Sequence, residues 1–287
     1  MKKIYQLLLA LSVVAFLSCG GDEGGGGTTP EPTGIDIPTS GYTSPTSYTG
    51  YTLAWEDDFS GTSLNSNNWT HETGTGTNGW GNFELQTYQP ENTTMQDGHL
   101  IITAKEQTVG SSNYTSSRII SQNKYQFRYG RVDIRAALPQ GKGLWPALWA
   151  LGSNFSTVGW PACGEIDIME KVGGPGLENE IHGTVHWQNA GQAANFGGST
   201  NLSTNTTDQF HVYSIVWTPS RISWYIDDNS TPYHVIDTTP SELDEFRRSF
   251  FFIMNVAVGG TWPGSPDATT TFPQHMIVDY IRVFEQD

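Results

Sequence analysis

Basic residues are scarce in this chain. Among its 287 residues, 14 are Lys or Arg and 29 are Asp or Glu, so the formal net charge at neutral pH is −15. Such a surface repels nucleic acids, anionic lipid head groups and sulfated or uronate polysaccharides at long range. The composition therefore predicts no nucleic-acid partner and favours a neutral ligand.

Cysteine is almost absent as well. The chain has only Cys19 and Cys163, and Cys19 lies in an N-terminal segment that we expect to be processed. The folded part then holds a single thiol and cannot form an intramolecular disulfide. Its stability must come from an apolar core and from any bound metal ion.

Long hydrophobic runs are missing, apart from one near the N-terminus. Two lysines precede an apolar run over residues 4–17, which is too short to span a bilayer but has the length of a signal-peptide core. The run ends in Phe16-Leu17-Ser18-Cys19-Gly20, which is similar to a bacterial lipobox with Cys19 as the lipidated residue. Residues 1–19 are therefore predicted to be a lipoprotein signal peptide. The alternative is ordinary cleavage near Ser18, which would release a soluble secreted protein.

The prediction for localisation follows from this segment. The protein is expected to be exported and lipid-anchored to the bacterial outer membrane, with the cell surface as one of the two sides open to it. It is expected to touch the membrane only through the anchor.

Residues 20–50 are rich in Gly, Thr, Pro and Ser and hold almost no large apolar side chains, so we expect a flexible linker.

Short apolar runs with period-two alternation follow from residue 51 onward. Examples are residues 100–104, 130–135, 210–217 and 222–226, separated by clusters of Gly, Asn, Asp, Pro and Ser. Helical periodicity is nearly absent, although residues 241–246 fit one short helix with Ser241 as N-cap. We predict an all-β fold, an antiparallel β-sandwich of jelly-roll type with an open cleft, in one domain over residues 51–287.

Connections within this sandwich can also be predicted. Pro219-Ser220 and Asp227-Asp228-Asn229 have the composition of tight turns between antiparallel strands. Residues 276–284 form a strong strand, which we expect to pair with the N-terminal strand of the domain.

One predicted strand carries three acids where a core strand would exclude charge. In Gly164-Glu165-Ile166-Asp167-Ile168-Met169-Glu170, strict alternation places Glu165 and Asp167 on one face but turns Glu170 into the core. One extra residue in a β-bulge at Ile168-Met169 would return Glu170 to the acidic face. We therefore predict that bulge.

The predicted bulge has a chemical consequence. It gives Glu165 and Glu170 a Cα separation of roughly 13 Å, and side chains leaning together approach the ~5–5.5 Å carboxyl spacing of retaining glycoside hydrolysis. One glutamate would attack an anomeric carbon while the other donates a proton, and Asp167 between them would raise a neighbour's pKa. The alternative for these acids is an exposed polar face or a calcium site.

Aromatic residues flank the acidic strand. Trp145, Trp149 and Trp160 fall in the two segments that lead into it, and flat aromatic faces stack on the apolar faces of sugar rings. His186 is expected on the neighbouring strand, within reach of the acids. No further histidines have metal-ligand spacing with it, so a zinc site is not expected.

Several motifs together resemble glycoside hydrolase family 16, in particular its bacterial laminarinase-like endo-β-1,3-glucanases. The resemblance covers residues 55–284. It is most specific over residues 160–170, where Trp160-Pro161-Ala162-Cys163-Gly164 is followed by the family pattern Glu-x-Asp-x-x-Glu. Further matches lie in residues 79–86, 114–119, 143–152, 255–264 and 278–283.

This resemblance implies a function and a set of roles. The implied activity is retaining endo-hydrolysis of a neutral β-1,3-glucan (laminarin-type) or mixed-linked β-1,3-1,4-glucan, with no cofactor for the chemistry. Glu165 would be the nucleophile, Glu170 the acid/base and Asp167 their assistant. A monomer is expected.

The resemblance also implies which residues bind. Those expected to contact sugar are Asn82, Arg118, Trp145, Trp149, Trp160 and His186, with Asn255 and Trp262 near the reducing-side subsites. The alternative for Arg118 is a surface ion pair. A structural calcium ion opposite the cleft would be bound by Asp58, the Gly98 carbonyl and Asp279. Phe83 stands where many laminarinases have asparagine.

Two other functions remain open at this point. Relatives with the same bulged acid strand act on agarose, porphyran or carrageenan, although a sulfated galactan would favour a basic cleft. A noncatalytic surface glycan-binding lipoprotein would share the sandwich, but binding alone needs no paired, offset acids.

Overall fold

The structure, a computed structural model, describes residues 34–287 of the chain. The predicted signal peptide, the lipidation site Cys19 and most of the predicted linker lie outside the described residues. Within them, no helix is long and apolar enough to cross a membrane.

Two β-sheets account for the strands of residues 34–287. The outer sheet has the order β15-β14-β13-β8-β17-β5-β6-β3, with β1 paired to β17 and β4 to β5. Its strands are β1 (Tyr51–Asp57), β3 (Gln86–Tyr88), β4 (Thr93–Gln96), β5 (His99–Val109), β6 (Ser112–Ser116), β8 (Gly130–Ala137), β13 (His211–Thr218), β14 (Arg221–Ile226), β15 (His234–Asp237) and β17 (Gln274–Gln286).

The second sheet, called the cleft sheet below, has the order β12-β11-β10-β9-β16-β7-β2. Its strands are β2 (Thr70–Glu72), β7 (Arg118–Ile120), β9 (Leu144–Gly152), β10 (Glu165–Glu170), β11 (Glu180–Asn189), β12 (Gln192–Asn201) and β16 (Phe250–Val258). Neighbouring strands are antiparallel, except that β3 pairs in parallel with β6.

A large apolar core fills the space between the sheets. Ile134 and Ile215 enter it from the outer sheet, and Leu148, Ile166 and Met254 enter it from the cleft sheet. Each of these five side chains is 0% exposed. The period-two alternation of the strands thus buries one face of each sheet, and the predicted β-sandwich is confirmed.

The predicted connections are confirmed too. β13 pairs with β14 across the turn at residues 219–220, and β14 pairs with β15 after the turn at residues 227–229. The C-terminal strand β17 lies between β8 on one side and both β5 and β1 on the other. Both ends of the domain are thereby tied into the same sheet.

The packed region begins earlier than the predicted boundary at residue 51. The compact unit starts at Asp36, and polar side chains fasten the segment before β1 to the outer sheet. Ser44 Oγ lies 2.8 Å from the Tyr280 hydroxyl, and the Tyr48 hydroxyl donates to Asp133 Oδ2 at 2.6 Å. A low content of apolar residues therefore did not mean a free tether here, because hydrogen bonds hold this stretch.

Between residues 34 and 287, helical structure is confined to short pieces. They are α1 (Phe155–Val158), a π-helical turn (Gly79–Phe83) and two 3-10 helices (Pro90–Asn92 and Ser241–Arg247). The predicted helix at residue 241 is present, but Pro240, not Ser241, is its N-cap. Its buried Leu243 and Phe246 are three residues apart, which matches the 3-10 period.

Candidate active site

The acidic strand β10 contains the predicted bulge. Opposite β9, Asp167 pairs with Trp149, and Met169 pairs with the next residue, Leu148, so Ile168 is the extra residue. The register on the β11 side shifts in the same interval. The bulge is confirmed at the position that the alternation of acids and apolar residues indicated.

The bulge sorts the side chains of β10 onto two faces. Ile168 and Met169 both lie in the core, at 1% and 0% exposure. Glu165, Asp167 and Glu170 point to the other face, where they meet groups from β9 and β11. Under strict alternation, Met169 would point to the acidic face and Glu170 into the core.

The three carboxyl groups are held in a largely dehydrated setting. Burial, followed by the charge of Asp167, raises the pKa of Glu165 to about 8. The same two causes raise the pKa of Glu170 to about 8. Trp145 Nε1 donates to Glu170 Oε1 at 2.9 Å, and this hydrogen bond lowers the pKa but does not outweigh them. Burial also raises the pKa of Asp167 well above its usual range. The cluster therefore retains protons at neutral pH, as an acid catalyst requires.

His186 faces these acids from β11, as predicted. It is the cross-strand partner of Glu165, and its Nε2 lies 3.2 Å from Asp167 Oδ2 and 3.6 Å from Glu165 Oε1. The Trp160 ring lies 6.2 Å from the imidazole and is 49% exposed. Trp160 is thus placed as an open aromatic platform at this end of the acid cluster.

Arg118 lies in the cleft sheet, on β7, two strands beyond β9. Its Nε donates to Glu72 Oε2 at 2.6 Å, and its guanidinium stacks between Trp80 and Trp149 at 4.6 Å and 4.9 Å from their ring centres. Arg118 is 9% exposed and the Glu72 side chain is 30% exposed, so their ion pair is partly buried. The charge of Arg118 lowers the pKa of Glu165, although burial outweighs this effect.

Asn255 connects these groups from β16. Its Oδ1 accepts from Trp149 Nε1 at 2.7 Å, and its Nδ2 donates to the Tyr88 hydroxyl at 3.1 Å. Asn255 is 5% exposed. Both ends of its amide are in use inside the protein, so its position suits orientation of Trp149 more than direct sugar contact.

An aromatic cluster borders Glu170 at the other end of the site. The Trp145 and Trp262 rings meet edge to face at 5.4 Å, and His182 meets Trp262 at 4.9 Å. His182 is also the cross-strand partner of Glu170. Sequence reasoning missed His182, although its spacing of four residues from His186 on one strand already placed both imidazoles on the same face.

Asn82 lies in the π-helical turn beside the cleft sheet. Its Nδ2 donates to Glu84 Oε1 at 3.1 Å, and its carbonyl accepts from Thr261 N at 2.9 Å, next to Trp262. Glu84 was also missed; its second oxygen accepts from Tyr88. Phe83 in the same turn is 65% exposed, so an apolar ring stands at this edge.

The three residues predicted to bind calcium lie around one point of the outer sheet. Asp279 occupies an irregular step of β17 between Val278 and Tyr280. Gly98 precedes β5, whose Leu100 pairs with Val278, and Asp58 follows β1. The topology therefore brings the predicted ligands to the same place.

Their side chains fit calcium only in part. Asp279 Oδ2 accepts from Arg135 Nη1 at 2.7 Å, and Oδ1 lies 3.6 Å from His99 Nε2. Asp58 Oδ1 accepts from the backbone and the hydroxyl of Ser60. Calcium prefers six to eight oxygen ligands, whereas Arg135 already neutralises Asp279.

Comparisons with known proteins agree with this geometry. A family model described as "Glycosyl hydrolases family 16" matches residues 82–282. The chain is 41% identical over 251 residues to the "Beta-glucanase" of Rhodothermus marinus, covering 81% of this chain and 84% of that protein. It is 37% identical over 234 residues to the "Clotting factor G alpha subunit" of Tachypleus tridentatus, covering 81% of this chain but only 34% of that protein.

A solved structure matches as well. The laminarinase catalytic domain from Thermotoga maritima MSB8 has a TM-score of 0.76 and 41% sequence identity, over 83% of this chain and 99% of that chain.

Proposed function

The chain belongs to glycosyl hydrolases family 16, and on that premise we propose that it is a retaining endo-hydrolase of β-1,3-glucan or mixed-linked β-1,3-1,4-glucan. One observation carries the proposal: the bulge in β10 places Glu165 and Glu170 on one face, on either side of Asp167. A glycan-binding protein has no need for two carboxyl groups with raised pKa on one face of a single strand.

The first step forms a covalent intermediate. Glu165, as carboxylate, attacks the anomeric carbon and forms an ester bond to it. Glu170 gives its proton to the glycosidic oxygen as the bond from that oxygen to the anomeric carbon breaks. The shortened glucan leaves with a new hydroxyl group at the end of its chain.

The second step restores the enzyme. Glu170, now a carboxylate, takes a proton from a water molecule whose oxygen attacks the anomeric carbon. The ester bond to Glu165 breaks, and the sugar is released with its original anomeric configuration. Two inversions at the same carbon therefore give net retention.

The surroundings of the two glutamates support these different roles. The positive charge of Arg118 favours the ionised form of Glu165, whereas His186 lowers the pKa of both glutamates. Glu170 has the neutral Trp145 N–H as its hydrogen-bond partner, which holds its carboxyl in place for proton transfer. Asp167 lies between them and disfavours ionisation of both at once.

The substrate class is proposed from the relatives and from charge. The matched proteins include a beta-glucanase and a laminarinase, and a net charge of −15 opposes a sulfated polymer. The exposed rings of Trp160 and Trp262 suit stacking on neutral pyranose faces.

The proposal is tested by incubating the purified protein with laminarin, curdlan, lichenan, agarose and carrageenan and sizing the products. We expect short oligosaccharides from laminarin or lichenan, with β-configured new ends in early proton NMR spectra. Products only from agarose would overturn the substrate, release of glucose alone would overturn endo cleavage, and α-configured ends would overturn retention.

We also propose that a calcium ion stabilises the outer sheet at Asp279, with the Gly98 carbonyl and Asp58 as further ligands. The ion would take no part in the chemistry. The shared location of the three residues supports this proposal, whereas the Arg135 ion pair opposes it. Calcium should raise the melting temperature of the wild type but not that of Asp279→Asn. The same effect of calcium on both melting temperatures would contradict the proposed site.

For localisation, we propose export and lipid attachment at Cys19. The lipobox-like residues 16–20 support this, although they lie outside the described residues. Cys19→Ala should leave the protein in the soluble fraction of expressing cells, whereas the wild type should partition into detergent. Equal partitioning of both would contradict lipidation.

A further inference from the structure

We propose that Glu165, Asp167 and His186 form a binding site for a single zinc ion, which blocks the cleft when bound. One ligand atom from each residue lies within 4.8 Å of the other two. This site goes beyond glucan hydrolysis and does not depend on it, because the argument rests on the donor atoms alone. The ion would act as an inhibitor and not as a catalyst.

The spacing of the donor atoms matches zinc. With bonds of about 2.0–2.2 Å, two ligand atoms of tetrahedral zinc lie about 3.3–3.6 Å apart. His186 Nε2 lies 3.2 Å from Asp167 Oδ2 and 3.6 Å from Glu165 Oε1. Both distances are close to the edge of such a tetrahedron, and the third pair, one oxygen of Glu165 and one of Asp167, lies within 4.8 Å.

A buried oxygen without a hydrogen-bond partner gives independent support. Asp167 is 2% exposed, and its Oδ2 accepts no hydrogen bond in the described part of the chain. The His186 ring is only 3.2 Å away but does not direct an N–H at this oxygen. A buried carboxylate oxygen without a partner is costly, and a metal ion would satisfy it.

The donor set also selects among cations. One imidazole nitrogen with two carboxylate oxygens suits zinc, whereas calcium and magnesium prefer oxygen ligands only. Three protein ligands leave the fourth tetrahedral position open for water or a sugar hydroxyl. Glu170 adds a further acid beside the site, and the nearby Arg118 is already paired with Glu72. Protons held by the carboxyl groups pass to solvent as zinc binds.

His186 was expected within reach of the acids, but a zinc site was not expected, because no further histidine has metal-ligand spacing with it. Spacing rules find ligands that are close along the chain, whereas His186 reaches the acids only through pairing of β10 with β11.

The matched control comes from the same strand. His182 also lies on β11, 23% exposed at its side chain, but its Nε2 is 4.0 Å from Glu180 and it is not part of the three-residue cluster. His182→Gln and His186→Gln therefore make the same chemical change on the same face. Only the second removes a proposed ligand.

The experiment is isothermal titration of zinc chloride into the purified full chain, with calcium chloride for comparison. We expect one zinc ion per chain in the wild type and in His182→Gln, at least tenfold weaker zinc binding in His186→Gln, and calcium titrations that are the same in the wild type and in His186→Gln. Glu165→Gln is the second ligand variant and should weaken zinc binding likewise; thermal unfolding verifies that each variant is folded. Anomalous scattering at the zinc edge then locates the ion.

Absence of zinc binding in the wild type would overturn the proposal. Equal affinity in His186→Gln, or zinc located away from these residues, would overturn it as well. Hydrolysis of laminarin in a buffer with chelator tests the proposed function separately, because zinc is absent there. Failure of either proposal is therefore distinguishable from failure of the other.

Discussion

Replacing Trp145 with phenylalanine should move the alkaline limit of activity upward. The substitution keeps an aromatic ring but removes the N–H that donates to Glu170 Oε1 at 2.9 Å. That hydrogen bond stabilises the ionised carboxylate and lowers the pKa of Glu170 against the effect of burial. Its loss therefore raises the pKa, and Glu170 keeps its catalytic proton to higher pH.

The size of the shift follows from the energy of the bond. Hydrogen bonds to charged groups contribute about 1.5–3 kcal/mol, and one pKa unit corresponds to about 1.4 kcal/mol. Because Glu170 is 9% exposed, little water is present to replace the donor. We expect a rise of about one pH unit or more in the alkaline limb of kcat/KM for laminarin.

The pH profile separates this effect from loss of sugar contact. Weaker stacking on the substituted ring would lower kcat/KM equally at all pH values, whereas loss of the donor moves the limb. Trp262→Phe is the matched control, because its ring is 5.4 Å from that of Trp145 and its indole does not bond to Glu170. A limb that stays in place or moves to lower pH in Trp145→Phe would refute the reasoning.

Three further predictions concern the acids and the groups around them. Glu170→Gln should lower kcat/KM on laminarin by about 10²–10⁴-fold but much less on an aryl glucoside with an activated leaving group, because kcat/KM reports the first step, in which that substrate needs no acid; equal losses of kcat/KM on both would exclude Glu170 as the acid. Asn255→Leu leaves Trp149 Nε1 without its acceptor and should lower the free energy of unfolding by ~1–3 kcal/mol, measured by urea unfolding. An unchanged midpoint would show that the Asn255 hydrogen bond to Trp149 does not stabilise the fold. The melting temperature should fall as pH rises from about 4.5 towards 8, because the folded carboxyls of Glu165 and Glu170 still bind protons that the unfolded chain has released. Glu170→Gln should flatten that slope, and a slope of opposite sign would show that the folded pKa values are not raised.

Local features of the fold were predictable because they depend on residues that are close together along the chain. Alternation along each strand distinguishes a buried face from an exposed one, and the offset between Asp167 and Glu170 demanded an extra residue at Ile168 or Met169. The structure places the extra residue there. A bulge is therefore readable from sequence when a charge would otherwise be buried.

Neighbours across the sheet were harder to predict. Arg118 is stacked against Trp149 because β7 and β9 both pair with β16, an order that local patterns do not contain. His182 reaches Trp262 by the same kind of long-range proximity. Family resemblance supplied Arg118 and Trp262 but gave no indication of His182.

Composition was misleading for the segment before β1. Residues 36–50 have few large apolar side chains, which predicted a free tether. Their tyrosine and serine hydroxyls instead bond to buried groups such as Asp133 and Tyr280. Docking by hydrogen bonds leaves no hydrophobic pattern for sequence reasoning to detect.

The most direct measurement of the central claim is to trap the covalent intermediate. A 2-deoxy-2-fluoro laminari-oligosaccharide with a good leaving group should form a stable ester with the enzyme. Fluorine destabilises the transition states of both ester formation and ester hydrolysis, and the good leaving group restores the rate of formation only. Peptide mass spectrometry should place the added sugar on Glu165. A label on Glu170, or hydrolysis with inversion and no label at all, would contradict the assignment of nucleophile and acid.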